Sequence, residues 1–196
     1  RVQSLLDKTR NADFLAPLAL RLYLAPVFWV AANNKLNPFN MESSLQPVID
    51  WFDMGLMLPL PKLMAHLAWG TEYFGSILLL LGLATRWISI PMMFTMLVAI
   101  SSVHWENGWQ AVHDPSSPWA SASAPAAIER LDEAREVLQQ HGDYDRLTEY
   151  GNFVVSNNGI EWAATYLLML LALFFYGGGH YVSFDYWIAR FWKKSV

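Results

Sequence analysis

The chain has 196 residues, 54% of them hydrophobic and only 15% charged, with a mean hydropathy of +0.21 and a formal net charge of −4. Soluble domains carry about 25% charged residues, so this is the composition of a polytopic membrane protein, and its acidic balance gives no footing for nucleic acid as a partner. With no cysteine, the chain has no disulfide, thiolate metal site, cysteine-ligated iron–sulfur cluster or dithiol couple of its own.

A polar leader with a mild amphipathic pattern, Arg1–Asp13, precedes the first span, residues 14–32 of the run FLAPLALRLYLAPVFWVAANNK. Arg21 lies inside that run, Lys35 closes it, and Pro17 and Pro26 predict a kinked helix. A charge at membrane depth costs about 2.5–3.5 kcal/mol on insertion scales, so Arg21 needs a partner. Residues 36–61 are loop-like, and IDWFDMGLMLPLP within them is too interrupted to span and is expected at the interface. The second span, residues 63–84, groups Ala65, Ala68, Glu72, Gly75 and Ser76 on one face, small residues around one acid. Glu72 is therefore expected to face the bundle interior and to pair with Arg21. His66 lies about 120° away around that helix and need not share the face.

A turn at Thr85–Arg86 leads into the third span, residues 87–104, whose Met93, Leu97, Ser101 and His104 share a face at helical spacing. Met92 and Met96 form an i, i+4 pair beside it, read as core packing in preference to a metal path. A polar loop over residues 105–159 follows. Its Asp114–Pro125 stretch is rich in Ser, Pro and Ala, a helix is expected from Ser123 and Pro125 to His141 with a stop at Gly142, and GDYDRLTEYG reads as a short helix or turn. The fourth span, residues 160–176, opens at Glu161 and ends at Gly177–Gly179, and an amphipathic aromatic helix at residues 181–192 is expected to lie in the interface. Seven basic residues, Arg86, Lys193 and Lys194 among them, fall on one side if both termini are cytoplasmic, and the positive-inside rule favours that orientation.

Two constellations follow. Arg21 and Glu72 form either a structural ion pair that fixes helix register or a functional intramembrane site. Lys35, His66, His104, Glu106 and Glu161 converge at the outer helix ends and line an expected polar pocket beneath the long loop. His104 and Glu106 are the candidate metal ligands within it, although no HxxxH or ExxH spacing is present and helix capping accounts for the same residues. No GxSxG, Walker or dinucleotide fingerprint occurs, so any redox chemistry requires a membrane quinone or a partner subunit.

The runs RLYLAPVFWVAANNK, TEYFGSILLLLGLATR and GGGHYVSFDYW resemble the DoxX family of small four-helix membrane proteins. HWENGW, the loop from Ile128 to Glu149 and NFVVSNNGIEWAATYLLMLLALFF resemble its HvfX-type branch more specifically. The resemblance implies an all-α polytopic four-helix bundle in the bacterial inner membrane, with a long extracytoplasmic third loop containing a short helix. It places the family's intramembrane arginine on Arg21, its first-loop lysine on Lys35, its second-helix acid on Glu72 and the branch histidine on His104, while His180 stands where an arginine is expected. In function, the branch implies an accessory role in maturation, export or copper handling of a copper-binding ribosomal peptide (a bufferin), beside a peptide-modifying enzyme and its precursor peptide. The wider family implies the alternative, a membrane subunit of a quinone-linked oxidoreductase. Copper and quinone are accordingly the expected ligands.

Overall fold

A computed structural model describes residue 7 and residues 9–194; of the expected polar leader, residues 1–6 and 8 lie outside the described residues. The helices in chain order are α1 (Leu15–Lys35), α2 (Gln46–Asp50), α3 (Pro61–Leu81), α4 (Thr85–Ala99), α5 (Ala124–His141), α6 (Tyr144–Thr148), α7 (Glu161–Tyr176) and α8 (Phe184–Lys194). Among the described residues there is no strand, only an isolated bridge between Val112 and Ser156; the fold is all-α. Two helical stretches, Arg10–Lys35 and Thr85–Asn107, are long and apolar enough to cross a bilayer, and α7 is a shorter apolar helix. The expected second span, α3, is not among them; Lys62, His66 and Glu72 lower its hydropathy. The chain forms two compact units, Arg1–Leu97 with Tyr166–Val196, and Val98–Thr165.

In the first unit α1 and α3 pack antiparallel, as the pairing of Lys35 with Glu72 and of Arg21 with Leu79 and Leu80 requires. Alanines at 25 and 32 of α1, and Ala65, Gly75 and Ser76 of α3, are buried, and such small residues let helices approach closely. Gly75 is needed for another reason too: a Cβ there would sit 2.7 Å from the sulfur of Met92. Met92 and Met96 are buried, so both are core side chains. The loop after α1 is a folded cap. Its α2 runs into a π-helical turn at Trp51–Gly55, and Leu45 and Phe52 are buried with Ala65 of α3. Leu60 in left-handed conformation and Pro61 at the first helical position then start α3.

The reversal between α3 and α4 differs from expectation. Gly82 (φ +64°) ends α3 and Ala84 (φ +51°) completes the turn, so Thr85 and Arg86 are already helical. Left-handed geometry at Gly82 carries no Cβ penalty. In the second unit α4 passes into a π-helical turn at Ile100–His104 and a short 3-10 turn at Trp105–Asn107. The 3.6-residue spacing that put His104 on a face with Met93, Leu97 and Ser101 therefore does not hold through this turn. Residues 108–123 are irregular; Pro125 sits in the first turn of α5, and α6 is capped by Asp143, whose side chain accepts from Arg146 N.

Candidate functional site

The two charges expected to pair go to different partners. Arg21 is 1% exposed, and its guanidinium is held by backbone carbonyls: Nε donates to Leu79 O (2.7 Å), Nη2 to Leu80 O (2.9 Å), and Nη1 to Gly178 O (2.6 Å) and Val182 O (3.3 Å). The last carbonyls of a helix lack intrahelical partners and carry the negative end of its dipole, so a buried cation is well placed at the end of α3. Glu72 is bound by Lys35, with Nζ 2.7 Å from Oε2. Side-chain direction explains the exchange. Helical Cα–Cβ bonds tilt toward the N-terminus; in this antiparallel pair Arg21 and Glu72 lean toward opposite ends, whereas Lys35 and Glu72 lean toward each other. Beside the pair, Tyr73 stacks between Trp29 (centroids 5.1 Å) and Trp69 (5.3 Å), and Trp69 Nε1 donates to Leu36 O at 2.9 Å.

A second charge completes the Arg21 end. The Asp185 carboxylate accepts from Ala84 N (2.6 Å) and Thr85 N (2.9 Å), and its own N–H donates to Gly82 O (3.0 Å). It thus caps the start of α4 from the first turn of α8, an anion at a helix N-terminus opposite a cation at a C-terminus. Glycines make the space: a Cβ on Gly82 would stand 2.6 Å from the Arg21 guanidinium carbon, and one on Gly178 would stand 2.8 Å from Thr85 Oγ1 and from Ser183 Cβ.

Next to this knot lies a cleft of about 810 Å3. Phe14, Pro17 and Leu20 of the α1 region, Trp87, and Ala172 give it mainly apolar walls, and its polar lining includes Asp13, Arg86, His180 and Tyr186. His180 Nδ1 lies 3.4 Å from Asp13 Oδ1, and its ring meets Tyr186 edge-on at 5.8 Å. Arg86 Nε donates to Phe174 O at 2.8 Å. The volume falls in the range of about 300–1,000 Å3 usual for small-molecule sites, and a few polar groups on an apolar lining are their usual chemistry. Sequence reasoning assigned nothing to Asp13 or His180. Its one available signal was a histidine directly after a helix-ending glycine run.

The remaining candidates divide between the units. His66 Nδ1 is 2.7 Å from Lys62 O of its own helix, in the unit of Lys35 and Glu72. In the other unit His104 and Glu161 fasten two segments together: His104 Nδ1 is 2.8 Å from Asn158 O, and Glu161 Oε2 accepts from Ala111 N at 2.9 Å. Asn157 Nδ2 donates to Asn107 O and Gln110 O, both at 2.7 Å, and Gly159 N donates to Gln110 O at 2.8 Å. Glu106 is exposed in the 3-10 turn between them. Among the described residues no group of three or more His, Asp or Glu is placed to hold a metal ion. Nearby, Ser116 holds the Asp114 carboxyl below the usual carboxylate range, first through its hydroxyl (2.6 Å) and then through its amide (2.9 Å).

No curated protein and no solved structure matches the chain. Residues 16–105, which include Arg21, Lys35, Glu72 and Arg86, match the family model described as DoxX, a family of membrane-associated proteins.

Proposed function

We propose that the first unit is a membrane module that receives a quinone-class amphiphile in the cleft beside Arg21 and acts as the membrane subunit of a quinone-linked oxidoreductase. The observation that carries this reading is the apolar cleft with the His180–Asp13 pair in its lining. Phe14, Pro17, Leu20 and Ala172 suit an isoprenoid chain, while His180, Arg86 and Tyr186 suit a carbonyl-bearing ring. A bound quinone supplies a two-electron, two-proton acceptor. His180 would donate a proton toward that ring, and Asp13, 3.4 Å from Nδ1, orients the imidazole. Arg86 contributes a fixed positive charge. Electrons come from a partner subunit, because the chain has no cysteine or nucleotide-binding motif. The test is titration of the full chain in lipid nanodiscs with a short-chain quinone. Saturable binding is expected, abolished by Ala172→Trp, which fills the cleft, and weakened by His180→Ala. Binding that does not saturate, or that survives Ala172→Trp, rejects the site.

The module is further proposed to span the inner membrane four times with both termini cytoplasmic, α1, α3, α4 and α7 being the spans. Each presents large apolar side chains outward, for example Val30, Leu67, Phe94 and Leu168, all more than half exposed, as contact with lipid requires. Single cysteines at Ser117 and Ser195, probed with an impermeant thiol reagent, test this. Outside labelling at Ser195 with protection at Ser117 refutes it.

A second reading, an accessory role in maturation of a copper-binding peptide, draws on the second unit. Residues 98–165 hold ten acidic side chains against three arginines, a charge suited to a cationic peptide or metal ion. In this reading His104, Glu106 and Glu161 of that unit form a polar site. Alanine at His104 and Glu106 is expected to lower copper tolerance or peptide modification in cells; wild-type behaviour at normal membrane levels removes the site.

A further inference from the structure

The helix α8 has its first turn tied down, and the residues that follow are exposed. Asp185 is engaged at the start of α4, Tyr186 N donates to Ser183 Oγ (3.3 Å), and Trp187 Nε1 donates to Tyr181 O (2.9 Å). From Trp187 to Lys193 every residue is exposed. At 100° per residue, Phe184, Trp187, Ile188, Phe191 and Trp192 fall within an arc of about 140°, and Arg190 and Lys193 lie outside it. Phe191 and Trp192 are 67% and 76% exposed. A stripe of five large apolar side chains on an eleven-residue helix needs a cover, because so short a helix is marginal in water and its stability depends on burying that face.

We propose that the cover is an anionic phospholipid leaflet, and that α8 is a lipid-docking helix selective for negative headgroups. Charge decides between the possible occupants. A second copy of α8 would bring Arg190 and Lys193 against their own equivalents, like charge on like charge. A neutral leaflet would use the apolar stripe and leave the cations without counter-charge. The one acid of the helix, Asp185, is engaged at α4, so residues 186–194 carry only positive charge. Tryptophan and phenylalanine on one face with lysine and arginine on the other is the arrangement that settles at the headgroup boundary. The proposal does not depend on what the cleft binds.

The test uses the full chain with Ile188→Cys, which becomes the only cysteine, carrying an environment-sensitive fluorophore. The protein is reconstituted in phosphatidylcholine alone or with about one-third phosphatidylglycerol, in the range that gives an anionic surface potential. With the anionic lipid the probe is expected to shift to the blue and to be quenched by spin-labelled acyl chains. Amides of residues 187–193 should become protected from hydrogen exchange. Arg190→Gln, Lys193→Gln and Lys194→Gln together should weaken docking about a hundredfold, roughly fivefold per charge. The thermal transition of the whole chain should stay unchanged, since these residues lie beyond the knot. A probe that stays in water on anionic membranes overturns the proposal. So does equal burial on both lipids, a triple variant that docks like the parent, or energy transfer between copies showing that a second chain covers the face.

Discussion

The exchange of partners at the buried charges makes a quantitative prediction. Along α3, Glu72 is seven and eight residues from the carbonyls of Leu79 and Leu80 that hold Arg21, about 10–12 Å at a rise of 1.5 Å per residue. Substitutions this far apart with no shared partner add to within about 0.5 kcal/mol. Lys35 and Glu72, at 2.7 Å, should instead show a coupling energy of about 1–3 kcal/mol. Removing one member of a buried pair costs about 3–5 kcal/mol, and the lower end applies here because the Lys35 side chain is 25% exposed. Glu72→Leu and Lys35→Met are therefore each strongly destabilising alone and much less so together. Arg21→Met with Glu72→Leu should equal the sum of its parts. The assay is equilibrium unfolding of the full chain in mixed micelles by titration with dodecyl sulfate, followed by circular dichroism. A coupling above about 1 kcal/mol between Arg21 and Glu72, or none between Lys35 and Glu72, would show the assignment of partners to be wrong.

Gly82→Ala should abolish accumulation of folded protein: left-handed geometry costs a non-glycine residue about 1–2 kcal/mol, and the new Cβ would meet the Arg21 guanidinium at 2.6 Å. Gly70→Ala, inside α3 with nothing within 4 Å of the new atom, should be neutral or stabilising by about 0.5–1 kcal/mol in the same unfolding assay. Asp185→Ala removes the acceptor of two amides at the start of α4 and should cost about 0.5–2 kcal/mol, with loss of exchange protection at Ala84 and Thr85. Ser116→Ala should raise the Asp114 pKa, measured by carboxyl-carbon NMR. Because that pKa is depressed in the folded chain, Asp114's contribution is present above its unfolded pKa, is lost as pH falls through the folded one, and should be smaller in the variant.

Much of the helical layout was legible. Apolar run lengths located α1, α4 and α7, and proline and glycine punctuation marked the ends of α5 and α7, because these signals act within a few residues. The small-residue face of α3 was legible for the same reason, with Ala65, Glu72, Gly75 and Ser76 all buried. What could not be read were interactions closed over long separations by backbone atoms. Arg21 is held by carbonyls, which every residue possesses, so no residue type announced them. Asp185 caps a helix about a hundred residues earlier, and nothing near it in the sequence says so. The Arg21–Glu72 pairing failed for a geometric reason. Matching depths along two helices ignored the direction in which side chains lean. The main-chain contacts of His104 and Glu161 within the loop, with Asn158 O and Ala111 N respectively, were likewise not legible.

The π-helical turn at Ile100–His104 carries a consequence for sequence change in this chain. A wide turn of this kind accommodates one residue more than an α-helical turn would, so it behaves as a stored insertion. Deleting Ser101 or Ser102 lets the segment relax to a regular α turn, and because an α turn closes the same revolution with one residue fewer, the residues downstream keep their direction relative to the helix before them. His104 should then keep its contact with Asn158 O, and the clasp between residues 104–111 and 157–161 should survive the deletion. A second deletion at the same place has no stored residue to draw on, rotates everything downstream by about 100° and should undo the clasp.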